Sequence, residues 1–185
     1  MQDKVNLYIL RTKKGSEFAC STSEVLIRTD SGTTGITRNS IITDKFCLAY
    51  VSGAKTGDFI GGIGSPILVS SLLAEFCRHV RLPDGTTFTS VQLLDDATGS
   101  IIGQSMAIHF SRWFQVFDDT SFKAYQSRSL DDRLNQENMP FASKSLIPND
   151  DLFQIAGATV CSEYFFMEAT QRRFSNIEFE RIPVH

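Results

Sequence analysis

Few side chains in this sequence combine the right type with the right company to do chemistry. Asp30 opens the run Asp30-Ser31-Gly32-Thr33-Thr34, in which a carboxylate beside small polar residues is a candidate for acid–base work. Ser21 and Ser31 are candidate nucleophiles, and His79 and His109 candidate bases, of a triad whose members need only meet in space. No Gly-x-Ser-x-Gly elbow supports such a triad. His79 is expected on the polar side of a helix and His109 on the polar face of a strand, both solvated. Cys77-Arg78-His79 offers two metal-ligand types, but no second pair completes a site, so no metal is expected. The glycine-rich run from Gly53 to Gly64 leads into a helix, a setting in which free N–H groups attract phosphate. It matches neither GxxxxGK[ST] nor GxGxxG spacing. It is read as a structural loop, and no cofactor is expected.

Asp30-Ser31-Gly32-Thr33-Thr34 resembles the Asp-Ser/Thr-Gly-Ser/Thr core of aspartic proteases. Phe59 to Gly64 resembles the flap of the retroviral members, and Ile101-Ile102-Gly103-Gln104 their hydrophobic-Gly segment, in the same order. The resemblance implies an acid dyad using Asp30. In that family, however, the aspartate ends an apolar strand, and here Arg28 and Thr29 precede it. Burying Arg28 there costs several kcal/mol and holds the aspartate as an anion, which defeats a shared proton. Asp30 is therefore expected in a surface loop. Asp95-Asp96-Ala97-Thr98-Gly99-Ser100 resembles the acidic pair of phosphoribosyl-binding loops but is two residues short, and a hairpin turn accounts for it.

A second resemblance rests on Val5 to Ser21, which is similar to the first hairpin of proteasome β-subunits and their bacterial HslV-type relatives. Ile42 to Gly53 resembles the strand pair that leads, through a Gly and an Asp such as Gly57-Asp58, into that family's first long helix. Asp151 to Glu168 is similar to a later strand–helix junction. The family cuts peptides with an N-terminal Thr, helped by an Asp and a Lys; the corresponding positions here hold Val5, Ser21 and Arg38. The resemblance implies the fold without its hydrolase chemistry.

The elements that must position these residues follow from periodicity and turn chemistry. Val5 to Arg11 reads as a strand, Lys13-Lys14-Gly15 as a turn, and Glu17 to Cys20 as the return strand. Val25 to Ile27 is a short strand, Thr29 to Asn39 a surface loop, and Ser40 to Ser52 a strand pair around Asp44-Lys45. Ser65 as N-cap and Pro66 predict a helix from Pro66 to Leu82, with Leu68, Val69, Leu72, Leu73, Phe76 and Val80 as its buried face. Phe88 to Leu94 is a strand, Asp95 to Gly99 a turn, and a long strand begins at Ile101. Within that strand, alternation sends Phe110 and Phe114 to one face and Trp113 and Phe117 to the other. Residues 118–150 are polar, with a short helix over Ser129 to Asn138. Leu152 to Ile155 (strand), Thr159 to Phe174 (helix) and Ile177 to Val184 (strand) close the chain. No internal repeat is evident.

The 185 residues, 42% hydrophobic, suit one domain with a full core, and 18 basic against 21 acidic side chains give a net charge of −3. That balance argues against nucleic acid and anionic membrane surfaces as partners. No stretch suits a membrane span or a signal peptide, so the expected location is the cytoplasm, or the virion if the protein is viral. Cys20, Cys47, Cys77 and Cys161 lack redox or knuckle spacing and are expected to be buried free thiols. The predicted fold is α+β, a largely antiparallel sheet with two main helices packed on it, in a single domain spanning 1–185. The predicted function is that of a non-enzymatic structural, assembly or binding subunit of a homo-oligomer or larger complex, phage and viral assemblies included. Phe110, Trp113, Phe114 and Phe117 are its expected interface. The alternative is a divergent hydrolase, either a proteasome-like amidohydrolase or an aspartic protease using Asp30.

Overall fold

The computed structural model describes residues 6–13, 20–21, 26–29, 32–35, 47–52, 55–61, 66–117, 141–155 and 158–184, with the backbone alone at 20–21, 26–29, 32–35 and 47–48. The fold is α+β and mostly antiparallel. A four-stranded sheet has the order β10 (Leu152–Ile155), β11 (Ala158–Ser162), β1 (Leu7–Thr12), β12 (Ile177–Ile182). An eight-stranded sheet runs β4 (Gly32–Gly35), β3 (Leu26–Thr29), β5 (Cys47–Ser52), β8 (Thr87–Asp95), β9 (Ile101–His109), β7 (Ile67–Val69), β6 (Phe59–Gly61), with β2 (Cys20–Ser21) also on β5. The pairing of β5 with β8 is parallel. Helices α1 (Ser71–Cys77) and α2 (Glu163–Arg172) and a 3-10 turn at Lys144–Leu146 complete the described elements. No helix among the described residues is long and apolar enough to cross a membrane.

Both helices lie between the sheets. α1 packs on β7 and β9, α2 on β11 and β1, and the helices meet through Phe76 and Phe165, whose ring centroids are 5.1 Å apart. The sheets approach each other at β1 and β6, where Gly61 has φ 86° and a Cβ on it would sit 3.0 Å from the Thr12 methyl. Alternation along the strands buries both faces of each sheet. Ile67 and Val69 join the central core while Leu68 joins a cluster with Val91, Leu93 and Ala107. Leu10 faces the helices while Leu7 and Ile9 face outward onto Phe153, Val160 and Phe117. Each such large apolar side chain contributes about 1.5–3 kcal/mol on burial.

The β8–β9 hairpin matches its sequence reading. Asp95 Oδ1 accepts the N–H groups of Ala97 (3.0 Å) and Thr98 (2.8 Å) and the Thr98 hydroxyl (3.0 Å), closing the turn that Asp, Thr and Gly favour.

Elsewhere the structure corrects the reading. The helix expected from Pro66 to Leu82 is a strand followed by a shorter helix. Ile67–Val69 finds backbone partners in Met106–Ile108 on one side and β6 on the other, and Ser70, not Ser65, is the N-cap, accepting the Leu73 N–H at 3.1 Å. The buried face is consequently Leu73, Ala74, Phe76 and Cys77, and Leu72 is 67% exposed. In the same way Thr159-Val160-Cys161 belongs to β11, paired with both β10 and β1, and α2 starts at Glu163. β1 pairs with β11 and β12, and Cys20–Ser21, the described end of the expected return strand, pairs with β5; the turn and residues 14–19 lie outside the described residues. Gly32–Gly35, expected in a loop, is a strand paired with β3. The long strand from Ile101 ends at His109. His109 is buried because the face it shares with Ala107 is covered too. The proposed helix over 129–138, the loop around Asp30 and Ser31, and positions 53–54 and 62–65 of the glycine-rich run lie outside the described residues.

Candidate functional site

A unit unseen in the sequence occurs twice. Asp58 precedes the pair β6–β7, which ends at Ser70, the N-cap of α1; Asp151 precedes the pair β10–β11, which ends at Ser162, the N-cap of α2. In the first unit the Ser70 hydroxyl donates to Asp58 Oδ1 at 2.6 Å and the Ser70 N–H to the Asp58 carbonyl at 2.8 Å. In the second the Ser162 hydroxyl donates to Asp151 Oδ1 at 2.9 Å and its N–H to the Asp151 carbonyl at 2.9 Å. The cap serine thus serves the helix and the carboxylate together. The apolar positions correspond as well: Phe59 and Leu152, Val69 and Cys161, Leu73 and Phe165, Cys77 and Ala169 all lie in the central core.

The two units exchange partners. The segment after α2 reaches the first carboxylate: Ser175 donates its N–H and its hydroxyl to Asp58 Oδ2, each at 2.7 Å, and its own oxygen accepts the Asp58 N–H at 3.0 Å. Beside it Asn176, held at φ 60°, donates from Nδ2 to the Phe59 carbonyl at 2.7 Å. The segment after α1 reaches the second carboxylate. Arg81 donates its N–H (3.1 Å) and Nε (3.0 Å) to Asp151 Oδ2 and Nη2 to Oδ1 (2.9 Å), and its carbonyl accepts the Asp151 N–H at 2.7 Å. Burial opposes ionisation of both carboxyls. Hydrogen bonds from Ser70 and Ser175 outweigh it at Asp58, and those from Arg81 and Ser162 with the Arg81 charge outweigh it at Asp151, so both lie below the usual carboxylate value.

The second unit borders a cavity of about 280 Å³ between Arg81, Leu7 and the segment 147–150, with Lys144 and Ser162 on its wall. Arg81 Nη1 also donates to Asn149 Oδ1 at 2.7 Å. Asp150 lines the cavity half-buried, and no hydrogen bond or ion pair among the described residues engages its carboxylate. Burial, reinforced by Asp84 and Asp151, outweighs Arg112 and Arg81 and pushes its carboxyl up.

The residues singled out from sequence are not brought together. Phe110 and Phe117 are buried in the chain's own cores. Phe114 is half-buried, edge-on to Phe153 at 5.6 Å, with the Arg112 guanidinium 4.8 Å over its ring. Beyond His109 the chain is irregular, so strand alternation does not govern these four rings: Phe110 enters the central core, while Phe114 and Phe117 are covered from segment 141–147 and β10. Trp113 alone of the four is exposed, at 41%. His79 is exposed beside Glu75 Oε1 at 3.2 Å, whereas Cys77 points into the core, where burial raises its thiol to about 12. Cys77 and His79 therefore diverge, and among the described residues no group of His, Cys, Asp or Glu could hold a metal. Cys77 and Cys161 are free and buried; the side chains of Cys20 and Cys47, like Ser31 and Asp30, lie outside the described residues. Sequence reading missed Asp58, Ser70, Arg81, Asp151, Ser162 and Ser175. The available signal was the recurrence of Asp, two short apolar runs and a capping Ser.

No protein-family model matches the chain, and no curated protein matches its sequence.

Proposed function

We propose that the chain works as a non-enzymatic structural or binding subunit of an oligomeric complex, associating through the layer over the outer face of the four-stranded sheet. The observation that carries this reading is the concentration of exposed large apolar side chains on that layer: Trp113 at 41%, Phe141 at 49% and Leu146 at 43%. They sit on two segments tied together by the Ser143 N–H to the Val116 carbonyl at 2.8 Å and by pairing of Phe117 with Ala142. Trp and Phe are the residue types that anchor protein interfaces, and a stable one needs about 800 Å² from each partner. The saturation of Asp58 and Asp151 by structural donors also supports a non-enzymatic role. The aspartic-protease alternative depends on Asp30, outside the described residues. Sedimentation at micromolar concentration tests the proposal. The wild type is expected to associate, and Trp113→Ala and Phe141→Ser to shift the equilibrium toward the 20.7 kDa monomer by about tenfold or more. Association unaffected by either substitution would place the interface elsewhere.

A further inference from the structure

The first unit closes with uncharged donors and has Gly57 before its aspartate, so the fold requires neither an arginine nor a second carboxylate at this kind of junction. The second unit has both, and a cavity beside them. Arg81 has five N–H donors, of which Nε, Nη1 and Nη2 each spend one on Asp151 or Asn149. One donor is left on each terminal nitrogen, on a side chain more than half exposed. Asp150 supplies an acceptor that no hydrogen bond or ion pair among the described residues engages, in the same cavity, and Leu7, Ile147 and Pro148 supply apolar wall. A purely anionic ligand would face Asp150 and a purely cationic one would face Arg81 and Lys144. A molecule carrying both charges on a short aliphatic body meets each group with its opposite.

We propose that this cavity binds a small aliphatic zwitterion of the amino-acid class, with its ammonium group on Asp150 and its carboxylate on Arg81. A volume of about 280 Å³ lies just below the usual range for ligand pockets, which suits so small a molecule. The site adjoins the Trp113 layer through Lys144 and Ile147, but its polar groups, Arg81 and Asp150, are not among the exposed rings on which the proposed association rests. The test is calorimetric titration of the full chain with leucine, with isocaproate, which lacks the amine, and with isoamylamine, which lacks the carboxylate. Leucine is expected to bind at least about tenfold more tightly than either fragment. Asp150→Asn is expected to weaken leucine about tenfold and to leave isocaproate no weaker, a pattern that unfolding cannot produce. The proposal is overturned if leucine shows no heat of binding, if it binds no better than its fragments, or if Asp150→Asn leaves it unchanged.

Discussion

The Asp58 and Asp151 units have the same architecture and differ in what closes them. At Asp58 the third partner is a serine, which contributes an N–H and a hydroxyl; at Asp151 it is an arginine, which contributes an N–H and two guanidinium donors. Both do the same mechanical work. Each fixes a helix N-terminus to the start of a strand pair and ties it to the chain leaving the other helix, so the two halves hold each other. The difference shows which features the fold needs and which are additional. Neutral hydroxyls suffice for the clamp, and the arginine charge and the second carboxylate appear at only one of the two.

Substitutions can break that comparison. Asp151→Ala has the largest expected effect, about 2–4 kcal/mol, because it removes a buried carboxylate that accepts charged hydrogen bonds and leaves the Ser162 cap hydroxyl without its acceptor. Asp58→Ala, whose side-chain donors are uncharged, is expected to cost about 1–3 kcal/mol. Urea denaturation measures both, and a larger loss for Asp58 would reverse the ranking.

Acid titration sharpens the contrast further. Asp58 and Asp151 both have folded values below the unfolded one of about 3.9. Their contribution is therefore present above that pH and lost as pH falls through the folded values. Asp150 has the opposite sign: its folded carboxyl is raised, so it disfavours the fold once ionised and the deficit disappears on acidification. Asp151→Asn should flatten the acid limb of stability against pH, and Asp150→Asn should leave stability at pH 7 unchanged or slightly higher. A clear loss with Asp150→Asn would mean that its charge supports the fold.

The smallest effects are expected at Leu72 and Tyr164, the second residue after each cap serine, which point outward at 67% and 53% exposure. Alanine at either should change stability by less than about 0.5 kcal/mol, whereas Leu73→Ala, one residue on, should cost about 2–5 kcal/mol. Equal costs at Leu72 and Leu73 would contradict the placement of α1.

Local signals made much of the fold legible. Alternation and turn chemistry mark β1, β10, β12 and the β8–β9 hairpin, and apolar periodicity marks the neighbourhood of both helices. The errors fall where a short apolar run serves strand or helix equally well. Ile67-Leu68-Val69 and Thr159-Val160-Cys161 read as first helical turns, yet each pairs as a strand with partners on both sides. One partner of each, β6 or β10, is the strand just before it, but nothing local announces the other, since β9 lies far along the chain from β7 and β1 lies at its opposite end from β11. The clamps were hidden for the same reason: Arg81 and Asp151 are 70 residues apart, and Asp58 and Ser175 are 117 apart. Of the four rings expected at an interface, Trp113 is exposed, whereas Phe110 and Phe117 find their cover inside the chain.

The central claim, that this is a subunit of an assembly, is tested most directly by the mass of the wild-type chain in solution, from light scattering across the micromolar range. The account predicts a mass that is a multiple of 20.7 kDa, or one that rises with concentration. A constant 20.7 kDa species at every concentration would contradict self-association through the Trp113 layer.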